Sequence, residues 1–297
     1  MRRAALALVA AVACRRAPTT AAPPPDAPRP VAPPASLGPD DPTASYRIME
    51  VRGGVTLRGH VRWRGALPRP EAMAVPPHGD PGHCGASQAL EPLTVGPDGG
   101  VLGAVVSLRI RRGKAPRFGA VTVDQRRCRY EPRVSSITVG AALRFTNSDP
   151  DVFHNVHAYY GEAGEDAWFN EASPAGVAIE RRVERAGVVR LVCDSGHTWM
   201  VAYVHAFNHP YHTVTDATGA YAIPDVPPGA YEVAMWHEGW ARRDRAGDPR
   251  PAFVDHVTLL RSVDVHAPEA TADFELADGA RPALEQVPLG RVDATGR

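Results

Sequence analysis

The sequence carries no net charge: 33 basic and 33 acidic side chains balance over 297 residues. A nucleic-acid binder shows a basic balance, so nucleic acid is set aside as a partner. No stretch before residue 200 has the three-to-four spacing of an amphipathic helix. Cysteine is scarce, at four in the chain. A helix that spans a membrane needs about 20 apolar residues, and the apolar run at the start is shorter than that. Turn formers, by contrast, are plentiful, with 30 Pro and 27 Gly. A chain of this length can hold two small β domains with real cores.

Residues 1–14 combine a basic start, a short apolar run and a small-residue site, the pattern of a secretory signal. Ala11-Val-Ala-Cys14 resembles the lipobox of bacterial lipoproteins, which implies that Cys14 is lipidated and anchors the chain in the envelope. Cleavage after an Ala-x-Ala would instead leave it free in the periplasm. Residues 17–45 hold ten prolines among Ala and Thr. A segment so poor in apolar bulk cannot bury a core, so 15–45 is expected to be an extended, disordered stalk.

From residue 46 the texture changes to strands. Val55-Thr-Leu-Arg-Gly-His-Val-Arg-Trp63 is apolar at every second position, the period of a half-buried strand. Residues 101–110 form a denser run, suited to a central strand. Shorter runs at 121–123, 136–139, 142–145, 177–183 and 188–193 are bounded by Gly, Pro or Asp. Many short strands at this spacing mean an all-β sandwich or barrel.

One stretch concentrates metal chemistry. Val188-Val-Arg-Leu-Val-Cys-Asp-Ser-Gly-His-Thr-Trp-Met200 offers a thiolate, an imidazole and a thioether within eight residues. Cys and Met suit Cu(I), and imidazole suits both copper states; two His and one Cys with a weak axial Met is the blue-copper electron-transfer set. The missing imidazole is available upstream in Asn147-Ser-Asp-Pro-Asp-Val-Phe-His-Asn-Val-His157, as His154 or His157.

Together the two segments resemble the copper site of the cupredoxins, the family of plastocyanin, azurin and amicyanin. The resemblance covers roughly residues 93–204. It implies a Greek-key β-sandwich and one type 1 copper held by His154, Cys193, His197 and Met200. It gives Asn155 the task of tying the two ligand loops together by hydrogen bonds. Asp194 stands where the family more usually has a small residue. His157, three positions beyond His154 on a strand, should lie on the opposite face. Trp199 and Trp168 read as packing around the site. With Cys14 and Cys193 so assigned, Cys84 and Cys128 are left, and an exported chain would join them in a disulfide; a metal site with His83 is the rival.

After residue 207, Thr-Asp-x-x-Gly-x-Tyr-x-Ile-x-x-Val-Pro-Pro-Gly-x-Tyr-x-Val resembles the carboxypeptidase regulatory-like domain, a small transthyretin-like β-sandwich. The chain is thus expected to divide into a leader (1–14), the stalk (15–45), N-terminal strands (46–92), a cupredoxin domain (93–207), the regulatory-like sandwich (208–276) and a loose tail (277–297). The strands of 46–92 could belong to either fold, and insertion or mere packing of the cupredoxin stays open. His205, His209, His212 and His237 read as structural histidines, with a second metal as the alternative. The functional expectation is a carrier, not an enzyme. It would sit in the periplasm or envelope and pass single electrons to a transient redox partner docked over an exposed His197 edge. Copper storage or delivery is the competing class.

Overall fold

The computed structural model describes residues 46–278, apart from 70, 163, 165, 243–246, 248, 252, 255 and 267. The expected leader with Cys14, the stalk and the tail past residue 278 lie outside the described residues. Among the described residues the fold is all-β, interrupted by short helical turns.

Alternation builds the first strand. β1 (Val55–Arg64) buries every second position, so Leu57, Val61 and Trp63 face inward. Gly59 has no room for a side chain, because a Cβ there would run into the Ala272 carbonyl and the Tyr221 hydroxyl. A hairpin of β2 (Glu71–Ala74) and β3 (Ser87–Leu90) follows, with a one-turn helix, α1 (Pro81–Cys84), in its connection. Next comes β4 (Val105–Arg109).

The chain then builds a separate sandwich. Its strands are β5 (Ala120–Arg126), β6 (Arg129–Glu131), β7 (Val134–Thr138), β8 (Ala142–Asn147), β9 (His154–Tyr160), β10 (Asp166–Ser173), β11 (Ile179–Arg182), β12 (Gly187–Val192) and β13 (Val201–Phe207). It returns through β14 (His212–Val214), β15 (Ala220–Val226), β16 (Gly229–His237), β17 (Val257–Val265), β18 (Ala270–Thr271) and β19 (Phe274–Ala277).

The inserted sandwich packs a sheet ordered β6-β5-β8-β11 against one ordered β7-β13-β12-β9-β10. Leu143, Phe145, Val156, Leu191 and Val204 fill its core. The flanking sandwich packs β14-β4-β16-β17 against a sheet centred on β1, which pairs with β15, β18 and β19. Leu57, Leu108, Tyr211, Ile223 and Met235 fill that core.

Two expected boundaries change. β4 lies inside the 93–207 range expected for one domain, yet it is hydrogen-bonded between β14 and β16 of the flanking sandwich. Its dense apolar pattern suits a central strand of either sheet, and pattern alone does not choose the neighbour. The 46–92 range also divides. β1 belongs to the flanking sandwich, whereas the hairpin puts Val75, Cys84 and Leu90 into the inserted core. The inserted sandwich therefore interrupts the flanking one between β4 and β14.

Val105 and Trp236 of the flanking sandwich pack against Val192, Val201 and Tyr203 of the inserted one. β12 and β13 are thus covered on both faces, which is why their sequences run almost continuously apolar instead of alternating. At this interface Arg133 grips Glu238 through Nε (2.5 Å) and Nη2 (2.9 Å), and the Glu238 side chain is 1% exposed.

Candidate metal centre

Strand register assembles the centre. β9 runs antiparallel to β12 with His157 opposite Val192, so the start of β9 and the end of β12 come out at the same sheet edge. His154 opens β9, and Cys193 follows β12 directly. The chain after Cys193 turns tightly, with the Met200 N–H donating to the His197 carbonyl at 2.9 Å. Gly196 takes a positive φ of 88° there, and a Cβ on it would strike the His78 carbonyl.

His154 Nδ1 and His197 Nδ1 lie 3.2 Å apart. Cys193 Sγ is 3.7 Å from the first and 3.5 Å from the second. A point equidistant from three atoms so spaced lies about 2.0 Å from each, the length of a metal–imidazole bond and a little under the 2.3 Å of a metal–thiolate bond. All three side chains are buried, as is Met200 at the end of the turn. Burial holds the His197 imidazole down to about 4, helped by the neighbouring His154, and holds His154 below its ordinary value against the pull of Asp149. Both rings are therefore neutral near pH 7, the form that ligates. Burial pushes the Cys193 thiol up, while backbone groups of Asn155 and Ser195 pull it the other way.

The surrounding groups fix these donors. Asn155 Oδ1 accepts from the Asp194 N–H (2.6 Å) and the Ser195 hydroxyl (3.1 Å), and its Nδ2 donates to Asn170 Oδ1. Asp149 was not among the residues singled out from the sequence. Its Oδ2 accepts from His154 Nε2 (3.0 Å) and the Cys128 N–H (2.8 Å), and its Oδ1 from the Arg127 N–H. A carboxylate can only accept, so Nε2 carries the proton and Nδ1 keeps its lone pair for a metal. A signal for Asp149 existed in Asn147-Ser-Asp, an Asx turn in which Asn147 Oδ1 accepts the Asp149 N–H at 2.9 Å. Tyr130 was missed too. Its hydroxyl donates to the Val192 carbonyl (2.9 Å), with the Asn155 carbonyl 3.2 Å away.

The remaining expected residues fall elsewhere. His157 lies across the strand from His154 and bonds Asp194 Oδ2 at 2.6 Å. Asp194 also binds Arg250, and these bonds hold its carboxyl below the ordinary value against a desolvation that would raise it. Cys84 and Cys128 form a disulfide, not a site with His83. His205, His209, His212 and His237 join no three-donor group among the described residues. His212 instead bonds Ser136 and Thr138, and His205 packs on Trp236 at 4.1 Å.

The expected exposed edge of His197 is absent. His197 is 2% and Trp199 3% exposed. The reason is residues 76–84, whose backbone crosses the ligand turn: Gly79 abuts the Gly196 carbonyl and the Trp199 ring. The disulfide staples this cap to the turn between β5 and β6, where Trp199 Nε1 donates to the Cys128 carbonyl at 2.8 Å. Trp199, Met200 and Tyr130 instead line a cavity of about 580 Å³ that also reaches Arg133, His237 and Glu238 at the interface of the sandwiches.

No family model matches the chain, and no curated protein matches it. Among solved structures the chain is similar to several forms of amicyanin. The reduced state of one amicyanin mutant is 27% identical over 30% of this chain and 82% of its own, with a TM-score of 0.26. A reduced Cu(I) form of another at pH 4 is 26% identical over 31% and 85%, at 0.27. An oxidised mutant is 27% identical over 30% and 82%, also at 0.27.

Proposed function

We propose that this chain is a mononuclear copper protein of the cupredoxin kind, holding the ion with His154, Cys193, His197 and Met200 and passing one electron at a time. The supporting observation is the triangle of two Nδ1 atoms and one Sγ, already spaced for a single ion. Bound there, copper would supply a one-electron couple, with the soft sulfur ligands favouring Cu(I) and the imidazoles serving both states. The protein's part is to keep the donors still. Asn155 ties the turn after Cys193 to β9, and Asp149 sets the tautomer of His154. Burial of the donors excludes water, so little has to rearrange when the charge changes. With the His197 edge covered, the path for an electron runs by Trp199 and Met200 into the cavity between the sandwiches.

The deciding experiment is a visible and EPR spectrum of the copper-loaded protein beside Cys193→Ser. An intense thiolate charge-transfer band that the substitution removes supports the reading; a parent without the band ends it. The covered His197 edge favours a second reading, storage or delivery of copper without a redox partner. A reversible potential selects the carrier, whereas a colourless Cu(I) form that exchanges its metal selects the store. We place the protein outside the cytoplasm, tethered through Cys14, and read the flanking sandwich as a transthyretin-like module. The mass of the mature N-terminus tests the anchor.

A further inference from the structure

A second set of soft donors meets at His197. The sulfurs of Cys84 and Cys128 and a ring nitrogen of His197 lie within 4.8 Å of one another, and all three residues are buried. The Nδ1 of His197 faces Cys193 and His154. Its Nε2 is buried and has no hydrogen-bond partner, an arrangement that folding penalises and that calls for an explanation. In the disulfide the two sulfurs are poor donors, because a cysteine sulfur ligates a metal as the thiolate. Cys128 is also within 4.8 Å of donor atoms of Asp149 and His154, so the surroundings of the bridge are already built of ligating groups.

We propose that reduction of the Cys84–Cys128 disulfide opens a second metal site for a soft ion such as Cu(I), with the two thiolates and the Nε2 of His197 as its donors. A dithiol supplies two electrons and two protons, turning the bridge into two thiols and itself into a disulfide. The incoming ion then displaces the two thiol protons to solvent, together with the Nε2 proton of His197 where a first ion already holds Nδ1 and the ring bridges the two ions as imidazolate, and no further electron moves. Two thiolates with one imidazole form a donor set that takes Cu(I), or the d¹⁰ ions Zn(II) and Cd(II), in preference to hard cations. Cys84 ends α1 on the cap while Cys128 sits on the turn beneath it. The same bond that staples the cap over His197 thus withholds the second site until a reductant opens it. The chain would hold one ion when oxidised and two when reduced, so its metal content would report the thiol state around it.

The test uses Cys193→Ser protein, which lacks the thiolate of the first site, titrated with Cd(II) before and after reduction on an immobilised dithiol. The reduced protein is expected to gain one Cd(II) per chain with a thiolate charge-transfer band, while the oxidised protein shows no band. Adding Cys128→Ser should remove the band, and adding His197→Gln should weaken binding while keeping it. The proposal is overturned if reduced protein shows no band, if oxidised protein binds equally, or if Cys128→Ser makes no difference. Loss of the native far-UV spectrum on reduction overturns it as well, since the site needs the fold. The blue band of oxidised parent protein is read separately, so either idea can fail without the other.

Discussion

Replacing Asp149 probes how the centre is held. The side chain is buried and accepts from three groups: His154 Nε2, the Cys128 N–H and the Arg127 N–H. Arg127 and Cys128 both have positive φ, at 54° and 57°, a conformation that non-glycine residues keep only when their surroundings enforce it. Asp149→Ala leaves three donors unpaired, two of them fully buried. At about 1–3 kcal/mol for each of the two fully buried groups, the expected loss of stability is roughly 2–6 kcal/mol. Asp149→Asn is the sharper variant. Its carbonyl oxygen still accepts, but in one orientation its NH₂ meets both the Cys128 N–H and His154 Nε2, and in the other it meets the Arg127 N–H. Against His154 it forces the ring proton onto Nδ1, the atom that faces Cys193. Copper affinity should then fall by about 10–100-fold, the usual effect of losing a group that orients a ligand. Competition against a Cu(I) chelator reads the affinity, and urea denaturation of the metal-free protein reads the stability. Asparagine protein whose His154 proton is found on Nδ1 by NMR and that still binds copper as tightly as the parent would refute the tautomer argument, whatever its stability.

Three further outcomes are expected. Asn155→Ala leaves the Asp194 N–H unpaired and frees the ligand turn from β9, so copper affinity should drop by about 10–100-fold in the same competition assay, and an unchanged affinity would remove Asn155 from the centre. Arg133→Met strands the buried Glu238 carboxylate and should cost about 3–5 kcal/mol, while Arg133→Met with Glu238→Met should recover most of that; a double variant as unstable as the single would show that packing, not the ion pair, matters there. His205 and His237 are held by burial at about 3 and about 4. Both stay neutral in the fold but take up protons near pH 6.5 once unfolded, so their contribution is complete above that value. Stability should fall as the pH drops from about 6.5 towards about 3–4, by up to about 1.4 kcal/mol per pH unit for each histidine. Urea midpoints that do not move between about pH 7.5 and pH 5 would contradict this, since linkage requires a slope wherever the two states bind different numbers of protons.

Local features were legible because they are written at short range. The alternation of β1 is visible in Val55, Leu57, Val61 and Trp63, and the turn from Cys193 to Met200 keeps its donors within eight residues. His157 could be set on the far face because a strand has a period of two. Asp149 is harder to see: it lies between Ser148 and Pro150 on an ordinary turn, and only burial distinguishes it from exposed Asp151. β4 joins the flanking sandwich although the sequence points to the inserted one, because its apolar run records that it is central, not which strands flank it.

The amino-acid order alone determined an all-β chain, the donor residues and their chemistry, since strand period, turn formers and side-chain softness are local properties. The tertiary structure decided what those donors face. A cap from residues 76–84 closes over His197, a buried carboxylate reaches His154 from the turn after β8, and a second sandwich covers the outer face of β12 and β13. The cap and the second sandwich join residues dozens of positions apart, and which distant surfaces meet is settled by burial of the whole molecule rather than by any one stretch of it.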